Sequence, residues 1–229
     1  CCTSNGVMKP EKVKEFIDIL SSMGYNLLEL GIEDMYKIDD EPYFGYLRGG
    51  YSKEEIREMD EFAESKGVEL VPCIQTLAHF KNLVKIPEYS DIVDIDDILL
   101  VDEPKTYELI DKMLKFASEN FSSDKINLGF DEAHHVGLGK YLDKHGYKDR
   151  YELLIKHLNK VCEMADGYGL KPHIWSDMFF RSLAKDMNYY NLEPIPKNVY
   201  DAVPKGLGLI YWDYTSDDKE YYKIHIDRH

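Results

Sequence analysis

Two acids stand side by side at the end of the apolar run Ile126-Asn-Leu-Gly-Phe-Asp-Glu132. Adjacent carboxylates can do chemistry when their surroundings differ, one exchanging a proton while the other stays charged beside it. The run has the short aliphatic character of a buried strand and follows a strong helical stretch. Side chains alternate faces along a strand. Beyond its last residue that alternation relaxes, which lets Asp131 and Glu132 address one pocket. A solvated strand-to-loop junction is the plain alternative for such a pair.

Other reactive residue types collect in the same way. Asp34 follows the apolar run 25–32, and His79 follows the run 68–75. The two tryptophans of the chain, Trp175 and Trp212, end two further runs, and Asp213 and Tyr214 follow the second. A histidine after a strand is, taken alone, as readily a hydrogen-bonded core group. Arg48, near Tyr46, reads either as reaching a hydroxyl or as a surface residue, and His135 and His145 read as surface. Asp91, Asp94, Asp96 and Asp97 lack the glycine and spacing of a calcium loop, so a solvated rim is expected there. Asp131-Glu-Ala-His134 spells a helicase nucleotide-hydrolysis box by coincidence. No Gly-x-x-x-x-Gly-Lys-Ser/Thr loop accompanies it, and Gly137-Leu-Gly-Lys140 has the wrong spacing.

Helical and strand signals alternate around these residues. Val13, Phe16, Ile17 and Leu20 form a helical stripe with Pro10 in its first turn and Gly24 at its end. Ser52-Lys-Glu-Glu55 is a capping box for a second helix carrying Ile56, Met59, Phe62 and Ala63. Tyr107 to Ala117 and Leu154 to Ala165 mark two more helices, and 217–226 suits a last one. Strands are expected at 25–32, 68–75, from Ile126, at 170–175 and at 207–212. Strands alternating with helices make an α/β fold with a parallel sheet. Polar and aromatic clusters at nearly every strand end, without a glycine-rich phosphate loop, favour a TIM-type (β/α) barrel over a doubly wound sheet.

With 229 residues, 44% of them hydrophobic, the chain suits one large domain with a proper core. A formal charge of −15 argues against nucleic acid and against an anionic membrane surface. No apolar stretch approaches the ~20 residues that span a bilayer. The four cysteines, Cys1, Cys2, Cys73 and Cys162, have no zinc or Cys-x-x-Cys spacing. Cys73 and Cys162 read as core residues, and a reducing, cytoplasmic compartment would suit the chain. Neither a signal segment nor a cofactor motif is evident, and no metal site is expected. The 18 tyrosines and 13% aromatic content suit stacking on sugar faces as well as core packing.

A set of segments carries a more specific signal. They are Met23-Gly-Tyr-Asn-Leu-Leu-Glu-Leu, Glu33-Asp-Met-Tyr36, Pro42-Tyr-Phe-Gly-Tyr-Leu-Arg-Gly49 and Val71-Pro-Cys-Ile-Gln-Thr-Leu-Ala-His79. Gly129-Phe-Asp-Glu-Ala-His134, Gly137-Leu-Gly-Lys-Tyr-Leu142, Trp175-Ser-Asp-Met-Phe-Phe180 and Tyr211-Trp-Asp-Tyr214 continue the series. In order along essentially the whole chain, they resemble glycoside hydrolase family 20, the β-N-acetylhexosaminidases, and most closely its bacterial exo-acting branch. The resemblance implies a TIM-barrel catalytic domain that removes terminal N-acetylglucosamine or N-acetylgalactosamine from a glycan without a cofactor. It implies substrate-assisted retaining catalysis, in which the sugar's own 2-acetamido oxygen attacks the anomeric carbon. Asp131 would hold and polarise the acetamido group. Glu132 would protonate the leaving oxygen and then deprotonate water. Asp34, His79, Trp175, Trp212, Asp213 and Tyr214 are the implied substrate-binding residues.

The family's first strand usually ends in an Asp-x-Ser-Arg-Asn type sequence, whereas this chain reads Cys1-Cys-Thr-Ser4-Asn5, with Ser4 in place of the arginine. A serine lacks the charged fork that grips sugar hydroxyls. About six of eight strand–helix units are expected, so residues 1–229 read as one catalytic barrel domain, incomplete on its C-terminal side. Two alternatives stay open: a catalytically weak carbohydrate-binding relative, and a metal-dependent barrel lyase or isomerase using Asp131, Glu132, His134 and Asp177.

Overall fold

Local signals set the first half of the architecture. In this computed structural model, which describes residues 6–181, 196–214 and 216–228, helix α1 (Pro10–Ser22) starts on Pro10 and buries Val13 and Ile17. Strand β1 (Leu27–Gly31) follows, then helix α2 (Lys53–Ser65), where the capping box forms in both directions between Ser52 and Glu55. Strand β2 (Glu69–Cys73) leads to a small antiparallel hairpin, β3 (Val93–Ile95) and β4 (Ile98–Leu99). Helix α3 (Pro104–Asn120), again opened by a proline, precedes strand β5 (Lys125–Asn127). Short α4 (Lys140–His145) and long α5 (Arg150–Gly167) come next, the latter capped by Asp149, which accepts the Tyr151 and Glu152 amides. Strand β6 (Lys171–Trp175), α6 (Asp177–Arg181), α7 (Lys197–Ala202), β7 (Gly208–Ile210) and α8 (Lys219–Arg228) complete the described order.

The five longer-range strands form one parallel sheet in the order β1-β2-β5-β6-β7. Leu28 and Leu30 of β1 belong to a core shared with Val13, Ile17, Ile56 and Met59, while Glu29 and Gly31 on the opposite face line a cavity. This inside–outside alternation with helical crossovers is that of a (β/α) barrel. Among the described residues the sheet does not close, so the barrel is incomplete, as the strand count in the sequence implies. No described helix is long and apolar enough to cross a membrane.

The hairpin corrects one expectation. Asp94 is buried rather than solvated, and its two oxygens accept the Gly137 amide at 2.6 Å and the Tyr141 amide at 2.8 Å. Close approach there requires Gly139, since a Cβ would stand 2.3 Å from the Asp94 carbonyl oxygen. Asp91 and Asp96 do lie outside, paired with Lys105 and His135. Asp97 lines the cavity. The hairpin is thereby fixed over the C-terminal end of the sheet, where Phe80 N–H donates to the Asp97 carbonyl and Leu99 N–H to that of Leu77.

Candidate active site

Because the strands are parallel, residues following their C-terminal ends gather at one mouth. A cavity of about 560 Å³ opens there, within the range of ~300–1,000 Å³ usual for small-molecule sites. Its wall includes Glu29, Glu33, Cys73, Gln75, His79, Lys81, Asp97, Asp131, Glu132, Trp175, Trp212 and Tyr214. Five carboxylates face one lysine and one imidazole, so the cavity is acidic, as the chain is.

The carboxylate pair sits on distorted backbone. Gly129 (φ 79°), Phe130 (φ 75°) and Glu132 (φ 54°) all adopt left-handed conformations after β5, and His79 (φ 65°) and Glu33 (φ 40°) do so after β2 and β1. Each such non-glycine residue costs on the order of 1–3 kcal/mol, and such residues cluster where a site needs a particular side-chain direction. The supports are visible. Thr76 Oγ1 donates to the Leu128 carbonyl, tying the ends of β2 and β5 together. Gly129 suits glycine because its φ is 79° and a Cβ there would also press on the Ile74 carbonyl oxygen at 3.0 Å and displace the Gln75 side chain. The Gln75 amide donates to Asp131 Oδ1 at 3.0 Å. Beneath them the buried His157 places Nε2 2.8 Å from the Thr76 carbonyl and Nδ1 3.1 Å from the Tyr107 hydroxyl. Burial pushes His157 down to about 4, so it is neutral, with Nε2–H donating to the carbonyl and Nδ1 accepting from the tyrosine.

His79 joins the pair. Its Nε2 lies 3.0 Å from Asp131 Oδ2 and 3.9 Å from Glu132 Oε2. The Asp131 carboxylate beside it raises it to about 9 against the opposing effect of burial, so it is an imidazolium at neutral pH. Burial, with Asp34 nearby, raises the Glu33 carboxyl above its ordinary value. Asp177 is fully buried and is pushed up to about 6 by that burial. Its Oδ2 accepts the Glu132 backbone N–H at 3.0 Å, and its Oδ1 accepts the Trp212 indole N–H at 3.4 Å.

Of the residues singled out in the sequence, Asp131, Glu132, His79, Trp175, Trp212 and Tyr214 reach one cavity. Asp34 and Asp213 do not reach its wall. Asp34 is buried and pairs with Arg48 Nε at 3.2 Å, and Glu33 lines the cavity in its stead. Asp213 accepts the Tyr211 hydroxyl at 2.8 Å and the Ser216 amide at 3.0 Å. Arg48 is half-buried and off the cavity wall, its guanidinium 3.2 Å from Asp34 and 3.6 Å from Glu33. Ser4 lies outside the described residues. Gln75 and His157 have no role in the sequence reading, and Asp177 enters it only in the metal-dependent alternative. Gln75 and Asp177 at least stood in strand-end clusters, whereas His157 sits within an apolar helical stripe that gives no hint of its role.

His134 is not on the cavity wall; Arg150 donates to its carbonyl and Arg181 lies beside its ring at 3.3 Å. Among the described residues no group of three or more His, Cys, Asp or Glu is placed to hold a metal ion.

Residues 3–191 match the family model described as "Glycosyl hydrolase family 20, catalytic domain". The chain belongs to glycosyl hydrolase family 20. Among relatives of this family 20 chain, human Hexosaminidase D is 24% identical over 226 residues, covering 91% of this chain and 43% of the human protein. Bovine Hexosaminidase D is also 24% identical, with 91% of this chain and 60% of that protein covered. The family 20 exo β-N-acetylglucosaminidase of Vibrio harveyi, solved with N-acetylglucosamine, superposes with a TM-score of 0.74 at 19% identity. That superposition takes in 93% of this chain and 37% of the Vibrio chain. Streptomyces plicatus N-acetyl-β-hexosaminidase, solved with Thio-NAglucal, gives 0.69 at 18% identity over 97% of this chain and 43% of that one. At such identities the structural likeness speaks to the fold. The chain spans roughly half or less of most of these relatives' lengths.

Proposed function

We propose that residues 1–229 belong to the catalytic barrel of an exo-β-N-acetylhexosaminidase that hydrolyses terminal β-linked N-acetylglucosamine or N-acetylgalactosamine. The observation that carries this reading is the juxtaposition of Asp131 and Glu132 in one cavity, with His79 within 3.0 and 3.9 Å of them and two indoles on the wall. The reaction is substrate-assisted. Asp131 accepts the acetamido N–H and orients its carbonyl oxygen, which attacks the anomeric carbon and forms an oxazolinium ring. Glu132 gives its proton to the leaving glycosidic oxygen as that bond breaks. Glu132, now a carboxylate, takes a proton from water as the water opens the ring, so the anomeric configuration is retained. Trp175 and Trp212 supply apolar faces for the acetamido methyl and the sugar ring.

The gap between the two carboxylates is that of neighbours in sequence, and no room for an enzyme nucleophile opposite Glu132 is required when the substrate supplies its own. Ser4 favours one other reading, a carbohydrate-binding relative that turns over weakly. Release of 4-nitrophenol from the N-acetyl-β-glucosaminide, the N-acetyl-β-galactosaminide and the plain β-glucoside separates them. Turnover of the two acetamido substrates alone supports the hexosaminidase reading. Binding of N-acetylglucosamine without turnover supports the other, and hydrolysis of the plain glucoside would overturn both.

A further inference from the structure

We infer that Asp177 is a positioning residue that couples the Glu132 acid/base to the Trp212 wall, so that one buried carboxylate sets the placement of both. The inference rests on the hexosaminidase reading above. Glu132 has φ 54°, a conformation that a non-glycine residue holds only with outside support. The support on its peptide N–H is Asp177 Oδ2 at 3.0 Å. The other oxygen takes the indole N–H of Trp212 at 3.4 Å. Asp177 is fully buried, with Arg181 Nε 3.9 Å from Oδ2 and the Arg181 guanidinium 6.0 Å from the Trp212 ring. Both donors are N–H groups, and a carboxylate can accept on both oxygens at once. An amide in its place would turn an NH₂ toward one of them.

The role is distinct from a purely structural one because it acts on a single step. Movement of the Glu132 backbone misaligns the proton donor, and that matters most when the leaving group needs its proton. The test is Asp177→Asn, first checked for folding by circular dichroism. Turnover of methyl N-acetyl-β-glucosaminide should fall by about 10- to 100-fold, part of the ~10²–10⁴-fold that general acid–base catalysis supplies. Turnover of the 4-nitrophenyl glycoside should fall far less. A second readout does not depend on activity. In a Trp175→Phe background Trp212 is the sole emitting tryptophan, and adding Asp177→Asn should shift its emission.

Equal loss of turnover on both leaving groups, or an unchanged Trp212 emission, overturns the inference. An inactive wild type whose Trp212 emission still shifts would instead refute the hexosaminidase reading and leave the Asp177–Trp212 link standing. Should Asp177→Asn not fold, Trp212→Phe carries the test from the other end, deleting the indole N–H while keeping an aromatic ring. A loss greater for the methyl than for the nitrophenyl glycoside supports the coupling. A raised KM with the same kcat factor on both contradicts it.

Discussion

Replacing His79 by glutamine removes a charge that the site holds far above its ordinary titration range. The imidazole rises from 6.5 to about 9, chiefly through Asp131. At 1.36 kcal/mol per tenfold change in proton affinity, that rise is worth roughly 3 kcal/mol. The side chain is 30% exposed, so solvent screening brings the expected contribution to about 1–3 kcal/mol. The folded protein binds this proton more tightly than the unfolded chain does. Its stabilisation is therefore complete below the unfolded value of 6.5 and is lost as pH rises through about 9. Urea unfolding of wild type and His79→Gln between about pH 5.5 and 10 should show a stability gap that is widest in acid and narrows through pH 9. In Asp131→Asn the narrowing should move toward the ordinary histidine range, because the partner is gone. A gap that is constant with pH, or that widens as pH rises, would refute the assignment of an imidazolium to His79.

Further outcomes are expected at the site and its supports. Glu132→Gln should lose about 10²–10⁴-fold of turnover on poor leaving groups and much less on activated aryl glycosides, whereas Asp131→Asn should impair both, as steady-state kinetics on paired substrates will show. Gly129→Ala puts a methyl 2.0 Å from Gln75 Oε1 at φ 79°, displacing the amide that braces Asp131. A loss of about 1–3 kcal/mol in thermal unfolding, together with reduced turnover, is expected. Arg48→Ala leaves Glu33 and Asp34 without the guanidinium between them and should cost about 3 kcal/mol in urea unfolding. Ser4→Arg should tighten N-acetylglucosamine binding by about 1.5–3 kcal/mol in a calorimetric titration if the vacated arginine position governs the sugar's far edge.

Much of the scaffold was legible because it depends on neighbours in sequence. Pro10 and the Ser52–Glu55 capping box announce their helices within the first turn, whereas the Asp149 cap of α5 was not picked out in the sequence. The strand ends carrying Glu33, Gln75, Asp131, Trp175 and Trp212 were visible as apolar runs that stop at polar or aromatic residues. Short-range reading failed where partners are distant. Asp94 looks like one of several acids on a rim, yet its partners Gly137 and Tyr141 lie beyond α3 and β5. Asp34 stands at a strand end like the other candidates, yet it pairs with Arg48 of the following loop while its neighbour Glu33 lines the cavity, a division the spacing does not show. His157 is buried by a fold-wide juxtaposition of α5 with α3 and the end of β2, which no spacing within its helix encodes.

The central claim is that the substrate's acetamido group, held by Asp131, is the nucleophile. Its most direct measurement is the rate on 4-nitrophenyl glycosides whose N-acyl group is acetyl, fluoroacetyl, difluoroacetyl or trifluoroacetyl. Each fluorine withdraws electrons from the attacking oxygen while changing the group's size little. The account predicts that kcat/KM falls steeply and steadily along the series, and that Asp131→Asn starts from a much lower rate. A rate that does not respond to fluorination would mean that the acetamido oxygen does not attack, and the role given to Asp131 would be wrong.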